Sequence, residues 1–572
     1  MYNRIFRALA LALASAVLAS AKTVVITVLA TTDLHGNILP YDFYTAKPAQ
    51  RGLAKLASLV RQVRAENPNT VLIDCGDTIQ GTPLESVYQQ FVRTGRFPPG
   101  VTAPALPLTI DPMMRVMNAM KYDAMTLGNH EFNFGLKNLD RVRAEASFPI
   151  ISANTRVAPG SGKPFPPSFV KTVGGVKIAI VGITTPGIPM WEEPEHISGY
   201  TFVGGKDAAI AAVAEVREKS KPDLTIVAAH AGLGRDLKTG APEASEMPGE
   251  NMMYDVATAI PDLDAIVFGH THAQVESARI GDVLVMQPKN WGISLGRFDF
   301  TLDDSSGRWR VVNKTSRLLP VTASTPEDPH IVKLAEPYFK VAEAYLGSPV
   351  ATVKAPISSE FARVKDTAII DAIHRVQLEY AKADVSFTSA FNTRVKIAPG
   401  PVTVREIAAL YLYENMLLAI EGNGRMVREA LENAARYYLP CEGDCSQANL
   451  VNAKIPGFNF DMAQGVEYEL DLSKPAGQRI RNLRFKGKPL ADDQPLRIAV
   501  NNYRAGGSAG YTMFRGAKVL WRSSQEIRDL MIEYYTNVKT LPAEPDQNWR
   551  IVPDVARKAL EHSAANEGTQ MR

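Results

Sequence analysis

The 572 residues carry 63 Lys and Arg against 60 Asp and Glu, a formal net charge of +3, and 45% of them are hydrophobic. That balance excludes a polyanion-binding track and suits an ordinary globular protein, and the length exceeds the ~250 to 300 residues at which one core stops growing. Three cysteines exclude a disulfide scaffold, and no repeat, heptad series or low-complexity tract is present.

The chain opens with Arg4 and Arg7, an apolar run from Ala8 to Leu18, and Ala19-Ser20-Ala21 before Lys22. This is the pattern of a secretory signal peptide cut after Ala21. The run is about half the ~20 residues a spanning helix needs, and no later stretch of that length is free of charge. A periplasmic or secreted mature protein with no membrane anchor is therefore expected. Removing Arg4 and Arg7 leaves 61 basic and 60 acidic residues, so no nucleic-acid polymer is expected as partner.

Thr23 to Ala30 reads as a β-branched strand. Leu53, Leu56, Leu59, Val60 and Val63 recur at helical spacing before the apolar strand Thr70 to Asp74. Asp111-Pro112 predicts an N-cap and first-turn proline for a helix through Met120, followed by a strand at Ala124 to Leu127. Further strands are predicted at Val176 to Ile183, Leu224 to Ala229, Ala265 to Phe268 and Val283 to Met286. This is a layered α/β domain over residues 22–325. A charged helical stretch then leads to Gly347-Ser348-Pro349, so 326–349 reads as a linker helix. Residues 350–553 form a smaller α/β domain that begins with an amphipathic helix near Thr367 to Ala381, and 554–572 reads as a polar tail. Cys441 and Cys445 are placed to pair in an oxidising compartment, whereas Cys75, in an apolar strand, packs as a small hydrophobe.

Polar residues cluster where the predicted strands end. Asp33-Leu34-His35-Gly36-Asn37 follows the first strand, Asp74-Cys75-Gly76-Asp77 the second, and Gly128-Asn129-His130-Glu131 the third. His230-Ala231-Gly232 and Gly269-His270-Thr271-His272 close two more. A single D-x-H or G-H-x-H also fits a turn with a capping aspartate and a hydrogen-bonded histidine. Five such motifs in one α/β domain, holding five of the nine histidines, converge where ligands bind in open sheets. Carboxylates, an amide and imidazoles together are the donor set of a hard or borderline dication. Glu131 reads as a dipole partner of a helical turn and is not counted as a ligand.

In this order the motifs DLHGN, CGD, GNHEFNFG, HAG and GHTH resemble those of the calcineurin-like metallophosphoesterases, and the two-domain exported chain resembles their 5'-nucleotidase superfamily. The start of the domain, with Tyr41-Asp42-Phe43-Tyr44-Thr45-Ala46-Lys47-Pro48, is similar to the bacterial 2',3'-cyclic-nucleotide 2'-phosphodiesterase/3'-nucleotidases. The resemblance implies an α/β/β/α sandwich-like catalytic domain with two divalent ions (Mn, Zn, Fe, Co or Mg). One would be held by Asp33, His35, Asp77 and His272, the other by Asp77, Asn129, His230 and His270. It places His130 beside the reacting phosphate, to stabilise charge or protonate the leaving oxygen. Asn133 stands where many 5'-nucleotidases have an aspartate orienting that histidine. The resemblance further implies that Phe460 and Tyr511 sandwich a nucleobase and that Arg394 holds substrate, although Ser389 departs from the usual asparagine. The implied reaction is hydrolysis of nucleotide phosphate esters, on 2',3'-cyclic and 3'-nucleotides, with a 5'-nucleotidase or nucleotide-sugar hydrolase as the alternative; a third reading, a non-enzymatic surface-binding protein on the same architecture, has no need of the full ligand set and His130.

Overall fold

A computed structural model describes residues 22–98, 101–102, 108–243, 247–413 and 415–570. The expected signal segment, residues 1–21, lies outside the described residues. Among the described residues, no helix is long and apolar enough to cross a membrane.

The N-terminal domain is built on two six-stranded sheets. The first runs, in spatial order, Arg310–Pro320, Ser294–Asp303, Thr23–Thr31, Thr70–Asp74, Ala124–Thr126, Ile150–Ile151. The second runs Val275–Ile280, Val283–Gln287, Ala265–Phe268, Leu224–His230, Val176–Thr184, Ser168–Val173. In the first sheet a parallel stretch has two antiparallel strands on one side, and in the second a parallel stretch has one antiparallel strand at each edge.

Side-chain alternation explains how the sheets stack. Ile26, Val28 and Ala30 face Ile178, Ile180, Leu224 and Ile226 in an apolar layer between the sheets. Leu29 and Leu72 point the other way, onto helices Leu53–Glu66, Pro112–Met120 and Pro329–Leu346. Val181, Ile183 and Val227 likewise meet helix Gly205–Ser220 on the far side of the second sheet. Strands covered on both faces must be apolar at every position, which is why they read as unbroken runs. The result is the expected α/β/β/α sandwich. Asp111 caps its helix as predicted, its side chain accepting from the Met113 and Met114 amides.

The C-terminal domain centres on a five-stranded mixed sheet ordered Asp461–Gln464, Val385–Ser389, Pro495–Asn501, Met416–Asn423, Val519–Glu526. Helices Ala368–Ala381 and Gly424–Ala435 pack against it. Cys441 and Cys445 are joined by a disulfide, and Cys75 is free and buried. A helix, Pro329–Leu346, forms within the stretch read as a linker helix, and its Ile331, Ala335, Tyr338 and Val341 belong to the N-terminal core. The segment read as a polar tail is helix Asp554–Gln570, which buries Ala556, Ala559 and Leu560 against the C-terminal core.

The Tyr41–Pro48 segment lies against the second domain. The Arg528 guanidinium sits 4.2 Å from the Tyr44 ring centroid, and Arg405 donates to the Phe43 carbonyl at 2.9 Å. Gln80 donates to Glu526, which also pairs with Arg528. These contacts set one wall of the cleft against the other.

Candidate active site

Each parallel strand delivers its polar loop to the same end of the sandwich. Asp33, His35, Asp77, His270 and His272 all have left-handed backbones, with φ between 46° and 74°. For non-glycine residues that conformation is costly and gathers at functional sites. Here it lets a chain leaving a strand turn at once and aim its side chain back across the strand ends.

The side chains form two groups. In the first, His35 Nε2 and His272 Nε2 are 3.0 Å apart, and Asp33 Oδ1 is 3.4 Å from His272 Nε2. In the second, His230 Nε2 lies 2.9 Å from Asp77 Oδ2 and 3.0 Å from Asn129 Oδ1, and His270 completes the cluster. Asp77 Oδ2 is also 3.9 Å from His35 Nε2, so one oxygen stands between both groups. Two ligands ~2.1 Å from one ion and at right to tetrahedral angles are about 3.0–3.4 Å from each other. The observed separations therefore fit a divalent ion in each group.

The remaining ring nitrogens support that fit. His35 Nδ1 donates to the Gln80 carbonyl at 3.0 Å and His230 Nδ1 to the Cys75 carbonyl at 2.8 Å. A carbonyl only accepts, so Nδ1 carries the proton and Nε2 is left for a metal. Burial opposes ionisation of Asp77, but the charges of His230 and His130 hold its carboxyl well below the usual range. Burial likewise opposes Asp33, which the hydrogen bond and charge of His272 hold at about 2. His230 is buried too, yet Asp77 pushes it up to about 10. Without a cation His230 holds its proton against Asp77, and metal binding would release it.

Glu131 is fully buried and belongs to neither group. It accepts from the amides of Asp77 (3.0 Å), Thr78 (2.7 Å) and Gly128 (2.7 Å), clamping two ligand loops together. That is a larger role than dipole partner of the short turn His130–Phe132. His130 Nε2 stands 3.9 Å from Asp77 Oδ2, and its Nδ1 meets Asn133 Oδ1 at 2.5 Å. Asn133 Nδ2 in turn donates to Glu192 Oε2 at 2.7 Å.

A cleft of about 670 Å³ opens from this centre and runs between the domains. Its first wall carries Asp77, Asn129, His130, Trp191, His270 and Trp291, and the second carries Tyr413, Tyr503, Ser508 and Arg515. Phe460 and Tyr511 do not line it. Phe460 is 3% exposed and packs on Tyr437, Tyr438 and Trp549, and Tyr511 is 0% exposed, stacked on Phe514 beneath Arg504. Two buried rings offer no face to a base, which corrects the expected sandwich. Arg504 explains the burial, since its guanidinium pairs with Asp461 at 2.7 and 2.8 Å and draws the Gly-rich loop inward. Tyr503, next to it on the turn Asn502–Ala505, is 55% exposed, and Tyr413 is 45% exposed. Arg394 is exposed outside the cleft lining, and Ser389 Oγ donates to the Phe460 carbonyl at 2.9 Å.

Sequence reasoning thus missed Tyr413 and Tyr503. For Tyr503 the signal was the adjacent Arg504, which buries, in a turn too short to bury both; nothing local marks Tyr413. Glu192 and Glu250, whose Oε1 is 3.0 Å from His270 Nε2, were also missed, and nothing local marks either acid.

Fold and site together define a metal-dependent phosphoesterase domain joined to a second, substrate-facing domain. The chain belongs to the calcineurin-like phosphoesterases that carry a 5'-nucleotidase C-terminal domain: residues 26–274 match the calcineurin-like phosphoesterase family and residues 349–516 the 5'-nucleotidase C-terminal domain. It is a hydrolase of phosphoric ester bonds that uses divalent metal. It is 30% identical to the trifunctional nucleotide phosphoesterase YfkN of Bacillus subtilis over 93% of its own length, and spans only 39% of that protein. It is 28% identical to the 2',3'-cyclic-nucleotide 2'-phosphodiesterase/3'-nucleotidase of Salmonella typhimurium, over 97% of this chain and 93% of the relative. A Staphylococcus aureus protein provisionally called a 5'-nucleotidase superposes with a TM-score of 0.70 at 27% identity, covering 92% of this chain and all of the other.

Proposed function

We propose that this chain is an exported phosphoesterase that binds two divalent ions and hydrolyses 2',3'-cyclic nucleotides to 3'-nucleotides, then to nucleoside and phosphate. One observation carries the reading: Asp77 Oδ2 stands between two histidine groups at one end of a cleft whose other wall presents two exposed tyrosines. Asp33, His35, Asp77 and His272 would hold one ion, and Asp77, Asn129, His230 and His270 the other. Divalent ions held there would supply Lewis acidity toward phosphoryl oxygens and a nucleophile at neutral pH.

The chain's own groups do the rest. His130, anchored through Nδ1 to Asn133, turns Nε2 toward the phosphate beside Asp77, where it binds the leaving 2'- or 3'-oxygen and delivers a proton. Tyr413 and Tyr503 stack on the nucleobase, a contact that any base can make. Trp191 and Trp291 wall the phosphate end of the cleft and limit access of bulk water. The name of the Salmonella relative and the Tyr41–Pro48 segment support the cyclic and 3' substrates.

The test is phosphate release from 2',3'-cyclic, 3'- and 5'-nucleotides side by side with added Mn, Zn, Co or Mg. Turnover of the first two over the third is expected, whereas preference for 5'-nucleotides would place the chain with the 5'-nucleotidases. The mature protein recovered from the producing cell should begin at Lys22. An intact Met1 terminus there would remove the export reading.

A further inference from the structure

His130 ends a chain of polar contacts that leads away from the metal groups. Its Nδ1 is 2.5 Å from Asn133 Oδ1, Asn133 Nδ2 is 2.7 Å from Glu192 Oε2, and Glu192 Oε1 is 2.9 Å from His196 Nδ1 and 2.8 Å from the Glu193 amide. Glu192 is buried. The chemistry of these groups gives the chain a direction. An ionised carboxylate only accepts, so Asn133 must turn its NH2 toward Glu192 and its carbonyl oxygen toward His130. That oxygen only accepts, so His130 must carry a proton on Nδ1, and the proton it delivers to the leaving oxygen is a second one, carried on Nε2 of the imidazolium.

We propose that Glu192 is a positioning residue for the reaction: by accepting from the Asn133 amide it locks Asn133 with its oxygen toward His130, which fixes the ring and its Nδ1–H and aims Nε2 at the substrate phosphate. An asparagine alone could flip and present NH2 to the imidazole, leaving the ring in the other tautomer or swung away. An aspartate would need no such lock, because both of its oxygens accept. Asn133 and Glu192 thus work as one unit, two residues doing what a single carboxylate does elsewhere. The inference rests on the proposed role of His130 at the phosphate, and extends it to a residue 59 positions away from Asn133 in sequence.

The test is a set of variants assayed for kcat and KM on a 2',3'-cyclic nucleotide, with bound metal measured on each. Glu192→Ala is expected to lower kcat about tenfold or more, part of the roughly 10²–10⁴ that a positioned acid contributes, with KM and metal content near wild type. Glu192→Gln keeps an acceptor for the Asn133 amide and should restore most of kcat. Asn133→Asp alone should be impaired, because two carboxylates would then meet where a 2.7 Å hydrogen bond now lies. Combined with Glu192→Ala, however, Asn133→Asp should recover kcat, since the introduced carboxylate then faces no opposing charge and accepts from Nδ1–H directly. Damage to the loop around Glu192 could not be repaired this way. Wild-type kcat in Glu192→Ala, or a double variant no better than Glu192→Ala, overturns the lock. His130→Ala separates the two ideas: full activity there overturns the reading of His130 itself, whereas a dead His130→Ala beside an unaffected Glu192→Ala overturns the lock alone.

Discussion

Asp77 is the residue on which the proposed centre depends most, because its Oδ2 lies 2.9 Å from His230 Nε2 in one group and 3.9 Å from His35 Nε2 in the other. Asp77→Asn keeps the shape and removes the charge, and should lose bound metal and nearly all turnover, read by metal analysis and phosphate release. Metal content and rate at wild-type level would sink the two-ion assignment. A different carboxylate group tests burial rather than catalysis. Asp366, Asp371 and Asp546 cluster in the C-terminal domain. Burial, then the charges of Asp366 and Asp546, push Asp371 up to about 7, against ~3.9 in an unfolded chain. The folded state therefore holds the proton more tightly than the unfolded state between about pH 4 and 7. Stability is present below that window and falls as pH rises through it. Asp371→Asn retains an acceptor for the Asp546 amide and cannot ionise. Its Tm in EDTA should match wild type near pH 4 and exceed it at pH 8. An offset independent of pH would refute this assignment.

At the level of strands and loops, close backbone approach explains two glycines in the motifs. A Cβ on Gly269 would lie 1.9 Å from Thr32 Oγ1 and 2.7 Å from Asp33 Oδ2, and one on Gly128 would lie 2.4 Å from the Asp77 amide. Each pairs a ligand-bearing loop from one strand with its neighbour, and Gly269 joins the two sheets. Gly269→Ala must push the His270–His272 loop away from Asp33. Overpacking of this kind costs about 1–3 kcal/mol. The variant should melt lower and bind metal more weakly, both visible in a thermal melt with and without added metal. A melt unchanged in both conditions would show that the loop yields freely. The same backbone logic underlies the left-handed ligands, where strand ends are held in conformations that only a tightly supported site retains.

On the scale of the whole molecule, both domains line the cleft, and in the proposed function the N-terminal domain acts on phosphorus while the C-terminal domain faces the nucleoside. Contacts made by the base serve to position the phosphate. Tyr413→Ala with Tyr503→Ala should reduce kcat/KM on nucleotides more than tenfold, at ~1 to 3 kcal/mol per face, and spare a small aryl phosphate diester. Equal losses on both substrates would mean that the tyrosines shape the cleft only. Phe460→Ala should behave differently. Emptying a buried aromatic site costs about 3–5 kcal/mol of stability, so the loss should appear in the melt rather than in discrimination between substrates.

The strands Thr23–Thr31, Thr70–Asp74, Leu224–His230 and Ala265–Phe268 were legible in the sequence because burial on both faces demands unbroken apolar runs, and the ligand loops were legible because they begin where those runs stop. The outer strands Val275–Ile280 and Arg310–Pro320 are largely polar and largely exposed, and gave no such signal. What the sequence by itself determined was the α/β domain, the donor types and their order along the chain. Only the tertiary structure decided which aromatics face the cleft, since burial of Phe460 and Tyr511 follows from the Arg504–Asp461 pair, whose partners lie 43 residues apart. It alone decided that Glu192 stands behind Asn133, because a hydrogen bond between distant residues leaves no periodicity in either segment, whereas a strand's burial is written into every residue of the strand.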